Sequence, residues 1–342
     1  MDPAQPGWGG RDRIAASGVS HPRVSFACGI YDLTDALRTG DVAVEGIDLD
    51  FLAIGNPRDI FDRMGGQQEF DIAEFSSAEF ISRMARGNCP FVALPVFPSR
   101  VFRHGYIYVN RKSGIHTPKD LENRRVGVAL YTMTAAVWIR GHLAHQYGVD
   151  LSTITWVEGA INHPGRHGEP SAPPLIKPPP IEHDARGRSL GEVLAAGEID
   201  ALIGSQHPHP HPDVAPLFPN ARAVERDFYL RTHIFPVMHV VVIRRDVYDR
   251  DPWIAENLYK AFVEAKKLAL ARMHKGHPYM LPWVHDDIEE VDEVFGGDPY
   301  PYGIDANRPT LEALIGYLAE QHFIPRAMPI EDVFVPVDKA LR

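Results

Sequence analysis

The chain has 342 residues, 44% of them apolar and 23% charged, with a formal net charge of −10. That length suits one large core or two lobes, and the composition is that of an ordinary globular protein. The acidic balance without any Lys/Arg block argues against a nucleic-acid or anionic-membrane partner, and no stretch has the length of a membrane span.

Residues 1–21 lack the basic start and apolar middle of a secretory signal; they read as a flexible leader, which points to the cytoplasm. The two cysteines, Cys28 and Cys89, imply no disulfide framework and suit a reducing compartment. "VSFAC" (24–28), "IDLDFLAI" (47–54), "FDIAEF" (70–75) and "FVALPVF" (91–97) predict strands, with helices expected at 32–39, 57–64 and 77–86. Ser76 and Glu79 have capping-box spacing at the start of the third helix. Strand and helix alternating at this rhythm predict a mainly parallel sheet.

"FPSRVFRHGYIYVN" (97–110) then places Arg100, Arg103 and His104 in an apolar, aromatic run that would otherwise be a buried strand. A second series follows. Thr117 and Pro118 open a helical turn, "RVGVAL" (125–130) reads as a strand, and Thr134 is placed to cap a helix ending at Gly148. "ITWVEG" (154–159) and "IDALIG" (199–204) give two more strands, with a short helix near 189–196. Seven prolines between 164 and 180 exclude a helix or central strand and predict a surface excursion, either a lid or a passive loop. After "HVVVIRRDVY" (239–248) the pattern turns helical from Asp251 and Pro252, and again over 310–321.

The expected architecture is α/β with two lobes. Residues 22–108 and 236–342 form the first and 109–235 the second, joined by crossings near 105–111 and 232–240. Ligands in such folds bind at strand C-terminal ends, in the cleft between the lobes.

The stretches "FPSRVFRHGYIYVN", "TAAVWIRGHLAHQYGV", "AVERDFYLRTHIFPVMHVVVIRRDVY" and "PYGIDANRPTLEA" resemble the 4,5-dihydroxyphthalate decarboxylase family. The resemblance runs from about Val24 to Pro336. It implies a type 2 periplasmic-binding-protein-like fold and a non-oxidative decarboxylase of a hydroxylated aromatic carboxylic acid, working without an organic cofactor. Ala129 and Leu130, Gly159 and Ala160, and "SQHPHPHPD" (205–213) differ from the family pattern and bear on the substrate. Two other readings stay open: a solute-binding or sensing protein for an aromatic acid, and a related cofactor-free lyase in a biosynthetic pathway. The expected partner is a small aromatic carboxylate, with a homo-oligomer left open.

Such chemistry needs a cation for a substrate carboxylate and an acid for the ring carbon. Arg103 and Arg100 are the candidate clamps, with Arg166 a third, because a planar guanidinium grips a carboxylate bidentately. His104 and His239, near the two crossings, are candidate general acids. For Arg100 an exposed strand edge, and for His239 a core imidazole, are the structural alternatives. Asp32 either caps its helix or bonds a ring hydroxyl, and Tyr31 is placed to stack on or bond the substrate. Ser76, Ser77, Thr132 and Thr134 offer hydroxyls at helix starts. His207, His209 and His211, with Asp213, are suitable metal ligands by type. Alternating prolines spread them around a polyproline axis, so an exposed loop without metal is expected.

Overall fold

The computed structural model describes residues 21–87, 89–168, 172–183, 187–275 and 281–337. The expected leader over 1–21 lies outside them except for His21.

The first lobe starts as read from the sequence: β1 (Arg23–Cys28), α1 (Asp32–Thr39), β2 (Asp48–Ala53), α2 (Pro57–Gln67), β3 (Ile72–Ser76), α3 (Ser77–Met84) and β4 (Phe91–Leu94). Ser76 caps α3, its Oγ accepting from the Glu79 N–H at 3.4 Å. The Glu79 side chain turns to Arg83 at 3.0 Å. The second lobe holds β5 (Ile107–Asn110), β6 (Arg125–Val128), α4 (Thr134–Tyr147), β7 (Thr155–Glu158), β8 (Ile181–His183), α5 (Leu190–Ala195), β9 (Ala201–Ile203), β10 (Val214–Pro216) and α6 (Ala221–Thr232). The chain then returns through β11 (His239–Arg244), α7 (Arg245–Arg250), α8 (Trp253–His274), α9 (Val284–Phe295) and α10 (Arg308–Glu320).

Two sheets result, ordered β2-β1-β3-β11-β4 and β10-β5-β9-β6-β7-β8. β1, β2 and β3 are parallel, whereas β11 runs antiparallel between β3 and β4. This orientation matters: the first residue of β11, His239, lies opposite Ser76, the last residue of β3. A residue that begins the return strand thus sits at the ligand-binding end of the sheet.

The run 97–110 is not one strand. Residues 95–106 form the first crossing, earlier than expected, with a single bridge from Arg100 to Val237 and a 3₁₀ turn at His104–Tyr106; only Ile107–Asn110 is strand, already in the second sheet. The crossings lie against each other, the Val101 N–H donating to Pro236 O at 3.2 Å and the Met238 N–H to Ser99 O at 2.9 Å.

α4 also joins the lobes. Its capping residue is Met133, and Thr134 is its first helical residue, against expectation. Its Trp138 Nε1–H donates to Val237 O at 2.9 Å, and a side chain at Gly141 would overlap the Tyr317 ring of α10. The proline-rich excursion is likewise tied across. Leu175 packs on the cores of both lobes, the Ile176 N–H donates to His322 O at 2.8 Å, and Arg86 holds Pro174 O. Among the described residues, no helix is long and apolar enough to cross a membrane.

Candidate active site

A cavity of about 320 Å³ opens where the two sheets face each other. That is within the size range of small-molecule sites. From the first lobe and the crossings come Tyr31, Arg58, Phe61, Ser76, Ser99, Arg103, Met238 and His239. The second lobe contributes Leu130, Thr132, Met133, Thr134, His167, Ser205 and Gln206.

The base of this site is a carboxylate that sequence reading did not single out. Glu74, in β3, has no exposed surface. In the register of β3 against β11 it is a diagonal neighbour of His239 on the same face. Its Oε1 meets His239 Nδ1 and accepts from the Tyr31 hydroxyl, each at 2.5 Å. Its Oε2 accepts from the Gly29 N–H at 2.8 Å and from Cys28 Sγ at 3.6 Å. Burial alone would raise the Glu74 pKa; the charge and hydrogen bond of His239, with the hydrogen bonds of Tyr31 and Gly29, overcome it and hold the carboxyl below its ordinary value. The same burial, then the Glu74 charge, push the Tyr31 phenol and the Cys28 thiol up, so both stay protonated. With Nδ1 held by a carboxylate and the ring edge-on to Phe61 at 4.9 Å, His239 is left with Nε2 for a ligand. The sequence signal for Glu74 was its acidic side chain inside "FDIAEF", since a buried carboxylate must be paired.

Arg103 is 5% exposed and lines the same cavity. Its Nε donates to Met238 Sδ at 3.2 Å and its guanidinium lies 4.8 Å from the Tyr106 ring centre. Among the described residues it forms no ion pair with a carboxylate. Burial lowers its pKa to about 10, with Tyr106 and Glu225 opposing, so it stays cationic at neutral pH. Ser76 and Thr134 bridge the lobes at the cavity edge: their hydroxyls are 3.0 Å apart, and Thr134 accepts from the Ala78 N–H at 3.1 Å. Thr132 and Tyr31 complete the expected residues that the structure brings together.

The remaining candidates lie elsewhere. His104 is 1% exposed, stacked on His142 with ring centres 5.2 Å apart, and neither of its ring nitrogens has a hydrogen-bond partner. The 3₁₀ turn sends it away from the cavity that its neighbour Arg103 faces, and burial, then Arg231, lowers its pKa to about 4. Arg100 is buried rather than at an exposed edge. It is bonded to Asn307 Oδ1, to Pro301 O at 3.2 Å and to Phe235 O at 3.3 Å, a tie between the first crossing and the start of α10. Asp32 is exposed and accepts from the Leu33 N–H at 2.7 Å, while Tyr31 occupies the cap position. Ser77, the first residue of α3, is buried among Phe80, Phe97 and Leu311. Arg166 is exposed in a separate hollow with Glu158 and Arg188.

His207 stacks on Tyr106 at 4.4 Å and bonds the Tyr108 hydroxyl at 2.8 Å, whereas His211 Nδ1 accepts from the Asp213 N–H. Among the described residues, no group of three or more His, Cys, Asp or Glu is placed to hold a metal ion.

Two lobes around a cleft, with the Glu74–His239 pair and a buried arginine in it, define a periplasmic-binding-protein-like fold with a small-molecule site between its lobes. Its structural neighbours include the aliphatic sulphonate binding protein SsuA of Escherichia coli (TM-score 0.52, 12% identity, 92% of this chain and 98% of that one). Another is a ligand-binding component of an ABC-type import system from Staphylococcus aureus (TM-score 0.50, 11% identity, 94% and 98%). No protein-family model matches the chain. Two curated proteins do, both 4,5-dihydroxyphthalate decarboxylases. One, from Comamonas testosteroni, is 34% identical over 315 residues, 89% of this chain and 92% of its own; one from Pseudomonas putida is 35% identical over 213 residues, 60% and 81%. The chain belongs to the 4,5-dihydroxyphthalate decarboxylase family.

Proposed function

We propose that the protein is a non-oxidative carboxy-lyase that removes CO₂ from a 4,5-dihydroxyphthalate-like substrate, with Arg103 gripping the carboxylate that is kept and His239 protonating the ring carbon that loses the other. The observation that carries this reading is that a desolvated guanidinium, without a carboxylate partner among the described residues, and a Glu74-paired imidazole line one cavity. Arg103 fixes the ring by its planar fork. The departing carboxylate leaves the ring plane against the apolar side chains of Phe61, Met133 and Met238, which solvate a charge poorly. His239 Nε2 delivers the proton, and Glu74 fixes the tautomer and stabilises the imidazolium. Ser76, Thr132 and Thr134 supply hydroxyls to the retained group. Capture of an aromatic acid for transport or sensing would need the cation, but not the buried acid–imidazole pair. Two unpaired cysteines support a cytoplasmic setting.

The test is incubation of the purified protein with 4,5-dihydroxyphthalate in D₂O. The expected result is one CO₂ per substrate and 3,4-dihydroxybenzoate carrying one solvent deuterium on the ring. Binding across a panel of hydroxybenzoates with no CO₂ from any of them would replace the decarboxylase by a receptor.

A further inference from the structure

Proton delivery to a ring carbon is half of this chemistry. The ring accepts a proton there only if electrons are pushed in from a hydroxyl ortho or para to it, and that hydroxyl must release its own proton. In a 4,5-dihydroxyphthalate each carboxylate has a hydroxyl para to it, across the ring. The group that takes the phenolic proton must therefore stand on the opposite cavity wall from His239.

His167 stands there. It follows β7 in the second lobe, whereas His239 opens β11 in the first, and both line the one cavity. Its segment is laid across the cleft onto α2: at Gly168 an added Cβ would come within 3.3 Å of Arg58 Cδ, a close approach of the backbone beside the histidine to the first lobe. Resting on this decarboxylase reading, we infer that His167 is the general base that accepts the proton of the substrate's para hydroxyl, making the enzyme a two-histidine catalyst with one imidazole from each lobe.

The step balances as follows. The O–H proton passes to a ring nitrogen of neutral His167, and the oxygen pair forms C=O. The displaced ring electrons form the C–H bond with the proton from His239. The C–CO₂ bond then breaks, its electron pair restores the aromatic ring, and the phenolic oxygen takes back its proton from His167. The sum is one carboxylate and one proton converted to C–H and CO₂, with His239 recharged from solvent.

Among the described residues, the titratable and charged groups that act on His167 are Arg58 from α2 and His163 from its own segment. Burial first, and then these two, lower its pKa, which keeps it in the neutral, proton-accepting form at neutral pH. Glu79, Arg103 and His239 line the same cavity. Arg58 is itself paired with Asp62.

The experiment is the pH dependence of kcat/KM for 4,5-dihydroxyphthalate in the wild-type protein and in His167→Asn. Loss of a general base lowers the rate by about 10²–10⁴-fold. The wild type should lose activity on the acid side as His167 protonates, and the variant should show that lower rate with the acid limb removed. Circular dichroism and thermal unfolding confirm that the variant is folded. Activity within threefold of wild type, or a drop with the acid limb unchanged, would overturn the assignment while leaving the decarboxylase reading intact. A wild type without turnover would overturn both.

Discussion

Replacing Glu74 by Gln probes the site at its deepest point. The substitution keeps size and shape but removes a fully buried negative charge, the one carboxylate that His239 contacts among the described residues. Glu74 Oε1 receives two donors and Oε2 receives the Gly29 N–H. An amide can present its oxygen to one side only, so its NH₂ must face a donor on the other. A hydrogen bond to a charged group contributes about 1.5–3 kcal/mol. Its loss at His239 corresponds to a fall in kcat of roughly 10- to 150-fold. The donor-against-donor contact costs a further 1–3 kcal/mol or so of stability. KM, set by the intact Arg103, should change little. The assay is kcat and KM from pH 5.5 to 8.5, with thermal unfolding to establish that the variant is folded. A folded variant with kcat within threefold of wild type at every pH, or a loss confined to KM, would refute the role assigned to the Glu74–His239 pair.

Arg103→Lys should lower kcat/KM by one to two decades, since about 1.5–3 kcal/mol is lost with the planar fork; an analogue lacking the retained carboxylate should be insensitive, and equal losses for both compounds would make the arginine structural. Arg100→Ala should instead lower the unfolding free energy in a urea titration by about 3 kcal/mol, because Asn307 Oδ1 and two carbonyls lose their donor, with KM within threefold of wild type. His104 binds a proton less readily folded, at about 4, than at its ordinary 6.5, so stability is full above pH 6.5 and falls as pH drops towards 4. That linkage amounts to about 3 kcal/mol at its limit. Glu74 acts in the same direction, its contribution present above the ordinary carboxylate range and lost as pH falls through its depressed folded value. His104→Leu should flatten the acid slope in Tm and keep kcat within threefold, and a collapse of kcat would return His104 to the catalytic machinery.

Local signals carried most of the architecture: alternating apolar residues gave β1 and β2, Ser76 marked the start of α3, and Gly148 ended α4 in the left-handed conformation that its φ of 65° requires. Tyr31, Ser76, Thr132, Arg103 and His239 were legible as cavity residues because each sits at a strand end or a crossing, where the topology places ligands. What local pattern could not supply was side-chain partnership over long sequence distances. Arg100 is bonded to Asn307, 207 residues away, and nothing near either residue announces it. Arg103 and His104 are adjacent and point into different surroundings, as they also would in the regular strand that the apolar run suggested; the 3₁₀ turn that replaces it does not bring both to one ligand. Glu74 was hidden in a well-formed strand pattern, and its role emerges only when β11 brings His239 alongside it. His167 lay in a segment whose prolines identified it as a loop but said nothing of where that loop would come to rest.

The most direct measurement is a crystal structure of His239→Gln soaked with 4,5-dihydroxyphthalate, the variant chosen so that substrate is not consumed. The account predicts one carboxylate in a bidentate bond with Arg103, and the carbon bearing the other within about 3.5 Å of the residue 239 side chain, the approach that proton transfer requires. The released group should lie against Phe61 and Met133. Substrate bound with both carboxylates away from Arg103, or in a site that leaves residue 239 out of reach of the ring, would contradict it.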